Sequence, residues 1–437
     1  MVFSPRGFTQ DVALFVFIPF CKIKCTYCDF NAYANLARVM TPYADAVARE
    51  IATVGAKHLQ QFANASPLRA RTIYFGGGTP SLVPVAHIEK ILRASGDAFT
   101  ILPDAEITLE ANPGTVDADK LRALRALGIN RLSIGVQSFD DAALRRLNRG
   151  HTAADALETF DLARRAGFDN ISLDFIYGLP LQTLADWRAT LDRAMALAPE
   201  HLSLYALKVE EGTGLEHQIA RGRYATPDDD LAADMYELAE EMLDAGGYAQ
   251  YEISNWARVG AKHSREVDAK PIKLSGQARD LQMADSANAS PLRSQHNLTY
   301  WHNEPYLGFG AGAHSSFGDA RFWNVLSPVE YIQRIERGES VIAGREEINR
   351  ELEIAETMIL GLRLNEGIAF DAFAQRFGED ARVRYAKELK ELRELGLIEF
   401  VDARPEGSLA RKPFGSSVRL TPRGRLLSNE VFWRLLP

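Results

Sequence analysis

Residues 14–30 read LFVFIPFCKIKCTYCDF, an apolar run that passes through a proline and at once delivers Cys21, Cys25 and Cys28, the only cysteines of a 437-residue chain. Their spacing is C-x3-C-x2-C. An odd number of thiols excludes a closed disulfide framework and fits a reducing compartment. Incidental cysteines seldom crowd into one loop. Zinc asks for four ligands, usually through a second C-x2-C or H-x3-H pair, and no histidine precedes His58. An iron–sulfur cluster takes thiolates naturally, and a four-iron cluster given three of them keeps one iron open to another ligand.

Similar apolar, β-branched runs recur downstream: TIYFGG at 72–77, EITLEAN at 106–112, RLSIGVQSF at 131–139, ISLDFIYGLP at 171–180 and HLSLYALKV at 201–209. Between them lie helix-period stretches such as TPYADAVAREIATVGAKHL, with apolar residues three and four apart. Six βα units predict an α/β fold built as a parallel barrel or a doubly wound sheet. In a barrel the chemistry sits at the carboxyl ends of the strands. The unusual residues lie there: the cysteines, Gly76 to Pro80, Glu110 to Gly114, Gln137 and Ser138, Asp174, and Tyr177 to Pro180. Each alone has a structural reading, since a glycine triplet makes turns and a buried acid pairs with donors. Their joint position is what points to a ligand.

A hydrophobic fraction of 46% with 25% charged residues describes a globular protein with an ample core, and the length suggests a large domain plus a smaller one. A net charge of -8 argues against a general phosphate-backbone binder. The apolar run from Val12 to Phe20 is too short to span a bilayer, so no integral membrane segment and a cytoplasmic location are expected.

With these residues in place, the chain resembles the radical S-adenosylmethionine superfamily, within the branch that holds the oxygen-independent coproporphyrinogen III oxidases and the haem chaperones. The resemblance covers nearly the whole chain and implies a partial (β/α)6 barrel. It also implies a [4Fe-4S] cluster on Cys21, Cys25 and Cys28, with S-adenosylmethionine on the open iron. By matching motif, Tyr27 flanks the adenine, and Gly77, Gly78 and Thr79 of GGGTP receive the methionine end. Glu110 of LEANPG, Gln137 of GVQSF, Arg149 of LNRGH and Asp174 of SLDFIYGLP supply the other polar contacts. Phe15 and Phe17 stand where the family commonly has tyrosine and histidine, which removes polar groups near the cluster.

Two family functions compete. The oxidases extend the cysteine motif by x-Cys, where this chain has Phe30, and carry a longer segment ahead of it. Both features favour the chaperones, which also show an H-N-x-x-Y-W motif associated with haem binding. Residues 296–301 here read HNLTYW, so His296, Tyr300 and Trp301 become candidate haem contacts. Histidine is a common axial ligand and the aromatic rings offer flat apolar surface, although the same residues can simply pack a loop. The implied function is to bind haem and pass it to an acceptor apoprotein. The alternative is a radical enzyme of the coproporphyrinogen oxidase type, in which the cofactor supplies the radical.

The expected division is a barrel over 1–256, a polar insertion at 257–295, a haem-motif segment completing the barrel at 296–348, and a winged-helix-like domain at 349–437. The insertion is rich in Ser, Ala, Asp, Lys and Arg, and a mobile surface loop is expected there. YLGFGAGAHSSFG at 306–318 is expected to be a structural glycine turn. The last domain carries 15 Lys plus Arg against 14 Asp plus Glu, without the basic excess that nucleic acid demands.

Overall fold

The computed structural model describes residues 10–61, 66–259, 292–401 and 416–437. Six parallel strands form its centre: β1 Asp11–Ile18, β2 Arg69–Gly77, β3 Thr100–Ala111, β4 Arg131–Gln137, β5 Ile171–Tyr177 and β6 His201–Ala206. They pair in chain order, β1 to β6, each with the next. Helices including Met40–Gln61, Val85–Ala98, Ala153–Arg165 and Leu184–Ala196 connect them. A strand's period of two decides which residues meet the helices. In β4, Leu132, Ile134 and Val136 enter the apolar core, while Arg131, Ser133, Gly135 and Gln137 line a cavity on the other face. In β5, Leu173 and Phe175 are core, and Asp174 and Ile176 line the same cavity.

The sheet continues past the six predicted strands. Tyr248–Glu252 (β7) and Asn255–Arg258 (β8) add antiparallel strands beside β6. On the other side Tyr306–Phe309 (β9) runs parallel to β1. His314–Phe317 (β10), Ala320–Asn324 (β11) and Ile342–Glu347 (β12) follow as antiparallel strands. The described sheet has 12 strands in the order β12-β11-β10-β9-β1-β2-β3-β4-β5-β6-β8-β7. The expected glycine turn at 306–318 is therefore the centre of a pair of strands. Gly310 has φ 102°, and a Cβ there would collide with the Tyr43 hydroxyl, so the turn fits only glycine.

Glu50 ties the long helix to this extension. Its carboxylate accepts from Gly310 N (2.9 Å), Tyr331 Oη (2.5 Å) and Asn324 Nδ2 (2.7 Å). Of the polar insertion, residues 260–291 lie outside the described residues. The flanking residues are ordered elements, because β8 runs to Arg258 and the helix Gln295–Trp301 starts at its far end.

The C-terminal unit has the winged-helix order. Helix Arg350–Leu362 precedes strand Ile368–Ala369, helices Phe370–Phe377 and Ala386–Glu394, and strands Ile398–Val401 and Ser417–Leu420. The last strand pairs antiparallel with both others. Ile354, Met358, Phe370, Phe373, Leu392 and Val418 belong to its own core. Arg363 binds it to the sheet through Glu252 (3.2 Å), and Arg425 binds it to the helix Asp229–Ala245 through Glu240 (2.6 Å). Among the described residues no helix is long and apolar enough to cross a membrane.

Burial pushes the Glu50 carboxyl up to about 7 from an ordinary 4.5. The folded chain then holds a proton that the unfolded chain has released, so this group's stabilisation is complete below 4.5 and lost as pH rises through 7. Urea unfolding of the wild type at pH 5 and pH 8 is expected to show a fall to which Glu50 contributes on the order of 3 kcal/mol. Glu50→Gln removes that share of the slope.

Candidate functional site

A cavity of about 390 Å³ opens at the carboxyl ends of the central strands. Cys21, Cys25 and Cys28 line one end of it, on the segment that leaves β1. Phe20–Cys21 makes a short parallel pairing with Tyr33–Ala34, which folds the cysteine segment into a closed lobe. Cys21 Sγ lies 3.5 Å from Thr79 Oγ1, and Arg149 Nη1 lies 3.5 Å from Cys25 Sγ. Burial pushes the Cys21 thiol up and takes Cys28 to about 11. Metal loading must therefore displace protons from these thiols.

The GGGTP turn presses on the first strand. Gly78 N donates to Ile18 O at 2.8 Å, and a Cβ on Gly78 would stand 2.8 Å from Phe20 O. Gly77 has φ 112° and donates its N–H to Glu110 Oε2 at 3.0 Å. Backbone is thereby bared to the cavity where side chains would block it.

Arg149 is the hub of the next layer. It donates to Asn112 Oδ1 (2.8 Å) and Gly135 O (2.7 Å), and reaches Tyr27 Oη at 3.5 Å. Asn112 Nδ2 in turn donates to Thr79 Oγ1 at 3.0 Å. One guanidinium thus fixes the cysteine lobe against β3 and β4. Gln137 lines the cavity in a left-handed conformation, φ 66°, which costs a non-glycine residue of order 1–3 kcal/mol.

Two buried acids face the cavity from below. Glu110 accepts from Tyr74 Oη (2.9 Å) and Gly77 N, and burial pushes it up to about 7. Asp174 accepts from Ser133 Oγ (2.8 Å) and Ser172 Oγ (2.9 Å), and burial raises it as well. Deeper still, Arg131 is 2% exposed, and its nearest carboxylate contact is Glu106 at 3.8 Å.

The structure brings together Cys21, Cys25, Cys28, Tyr27, Gly77, Gly78, Thr79, Glu110, Gln137, Arg149 and Asp174, all of which line the cavity. Phe15 is not among the lining residues; its ring packs 5.9 Å from Tyr74 and 6.0 Å from His296. His296, Tyr300 and Trp301 are also absent from the lining. His296 is 1% exposed, with Nδ1 2.7 Å from Thr72 Oγ1 and Nε2 2.9 Å from Tyr300 Oη. Trp301 lies under the Arg363 guanidinium at 4.2 Å. From the same helix, Asn297 is the residue that reaches the cavity, joined by Ser294 just before it. Sequence reasoning placed Asn112 among the strand-end residues but gave it no contact, and passed over Tyr74 and Arg131, whose inward direction follows only from strand register.

Chemically, the donor set suits a cluster rather than one ion. Among the described residues no three His, Cys, Asp or Glu side chains converge on a point suited to a single metal. All three thiols line the cavity, and thiolates are the natural protein ligands of an iron–sulfur cluster. Bared glycine backbone and two acids raised by burial complete a site that fits a cationic, hydroxyl-bearing cofactor such as S-adenosylmethionine.

The Radical SAM superfamily model matches residues 15–194, and the HemN C-terminal domain model matches residues 348–404. The chain is 35% identical to Heme chaperone HemW of Bacillus subtilis, over 97% of this chain and 98% of that one. It is 33% identical to Heme chaperone HemW of Mycobacterium tuberculosis, over 98% and 95%. The solved structure of coproporphyrinogen III oxidase (HemN) from Escherichia coli, a radical SAM enzyme, superposes with a TM-score of 0.75. That alignment covers 98% of this chain and 90% of the other at 23% identity, a likeness of fold.

Anaerobic reconstitution with iron and sulfide checks the donor set. Wild type is expected to retain about four irons per chain, and Cys21→Ala, Cys25→Ala and Cys28→Ala to retain far fewer. A full complement in any of the three variants would remove that thiol from the set.

Proposed function

Because the chain belongs to the HemW family of radical S-adenosylmethionine proteins, we propose that it binds haem and transfers it to an acceptor apoprotein. The observation that carries this reading is full-length similarity to chaperones of that name, with 97% of this chain aligned to 98% of the relative. In this proposal Cys21, Cys25 and Cys28 hold a [4Fe-4S] cluster. Gly77, Gly78 and Thr79 receive the methionine end of S-adenosylmethionine. Tyr27, Glu110, Gln137, Arg149 and Asp174 take its remaining contacts. Three free thiols accord with work in the reducing cytoplasm.

The rim supports a haem seat at the cavity mouth. Ile23 and Phe30 stand 40% and 61% exposed there, with Lys24, and with Lys208 paired to Glu210 at 2.7 Å, on the same lining. Apolar side chains next to ammonium groups match a flat ligand with apolar faces and acidic arms. Phe30 also occupies the place of the oxidases' fourth cysteine.

Two measurements test the proposal. An anaerobic haem titration of the reconstituted protein, followed by mixing with an apo-globin, is expected to give saturable one-to-one binding and then transfer. Conversion of coproporphyrinogen III at about one per second or faster would assign the oxidase reaction instead. For the cofactor contacts, Asp174→Ala is expected to weaken S-adenosylmethionine binding about tenfold or more by calorimetry. Unchanged affinity would take Asp174 out of the site.

A further inference from the structure

We infer that the helix Gln295–Trp301 buttresses the cofactor cavity, and that His296 is a positioning residue for Glu110 rather than a ligand to iron. The inference rests on superfamily membership, which implies the cofactor, and is independent of the haem reading.

Tyr74 is the link. Its hydroxyl donates to Glu110 Oε1 at 2.9 Å, and its ring stacks on the His296 imidazole at 4.9 Å with planes 27° apart. Phe15 covers the same two rings. The imidazole cannot slide, because Thr72 and Tyr300 hold one ring nitrogen each and the Tyr300 ring stands edge-on to it at 5.1 Å. An imidazole with both nitrogens engaged by hydroxyls offers no lone pair to a metal in this arrangement. What it offers is a rigid wall that fixes the direction of the Tyr74 hydroxyl and, through it, one oxygen of Glu110. The other oxygen of Glu110 holds Gly77 N, in the glycine turn.

The second acid is tied to the same helix by a different route. Ser172 Oγ donates to Asp174 Oδ1 and lies 2.9 Å from His201 Nδ1. His201 Nε2 is 2.9 Å from Tyr251 Oη, which accepts the N–H of Ser294 at 3.2 Å. Ser294 caps the helix through Asn297 N, and Glu106 accepts the N–H groups of Gln295 and His296 at 3.1 Å each. Both acids of the cavity are thus braced against one short helix whose Ser294 and Asn297 close the floor.

The test is a double-mutant cycle on the reconstituted holoprotein, read by S-adenosylmethionine calorimetry, by the change the cofactor causes in the reduced cluster's electron paramagnetic resonance spectrum, and by haem titration. Tyr74→Phe deletes one oxygen and keeps the stack; His296→Ala deletes the wall. Each is expected to weaken S-adenosylmethionine binding about tenfold with iron content unchanged. The double variant is expected to lose little more than either single one, because both act through one bond. Haem stoichiometry is expected to stay as in wild type. Additive losses, or a His296→Ala protein that binds S-adenosylmethionine normally but has lost haem, would overturn the inference. Should His296→Ala fail to fold, unchanged affinity in Tyr74→Phe overturns it alone. Absence of haem binding in every variant would count against the chaperone reading and leave the calorimetric result standing.

Discussion

A parallel strand with helices on its outer face must turn every second side chain inward, and on β2 to β6 of this chain most of those inward side chains are polar. The fold depends on how that constraint is met. Thr72 and Tyr74 on β2, Glu106 and Glu110 on β3, Arg131 and Ser133 on β4, Ser172 and Asp174 on β5, and His201 and Ser203 on β6 occupy alternate positions. Leaving such groups unpaired in a dry interior would cost a few kcal/mol apiece. Nearly all are instead joined across strands, as Ser133 is to Asp174 and Tyr74 is to Glu110. The exceptions are informative. Arg131 Nε is buried without a hydrogen-bond partner, and Arg131 lines the cavity.

That pattern explains what could be read in advance. Six central strands were legible because each is an apolar run of adequate length bounded by turn residues. The cysteine loop was legible because three thiols in eight positions have few chemical explanations. The added strands were not: β9 and β10 are four residues each and are separated by glycines, so local pattern gives a turn and no more. Their pairing is decided by β1 and by Glu50, a residue 260 positions from the Gly310 N–H it accepts.

The motif at 296–301 marks the same limit. A histidine followed by asparagine and two aromatics shows what could touch a porphyrin, but not which way the helix faces. Thr72 and Glu106, 224 and 190 residues distant from His296, settle that by claiming its ring and its backbone N–H. The imidazole is drawn inward, and Asn297 is left on the cavity side. Local chemistry singled the residues out and was silent on their direction.

Charge connects the two ends of the cavity. Burial makes ionisation costly for the Cys21 and Cys28 thiols and for the Glu110 and Asp174 carboxyls, which is why Cys28 and Glu110 are pushed upward, to about 11 and about 7. The ligand-free site is therefore most stable with protons on these groups. Cationic species in the cavity reverse that preference, since each nearby positive charge favours the ionised form. A cationic group bound near either set would do so, and its binding would release the protons those groups hold. The glycine turn sits between them: Thr79 touches Cys21 and Gly77 is held by Glu110. Any movement of Glu110 is therefore felt at the cysteine end, so the residues that hold Tyr74 in place bear on both halves of the site.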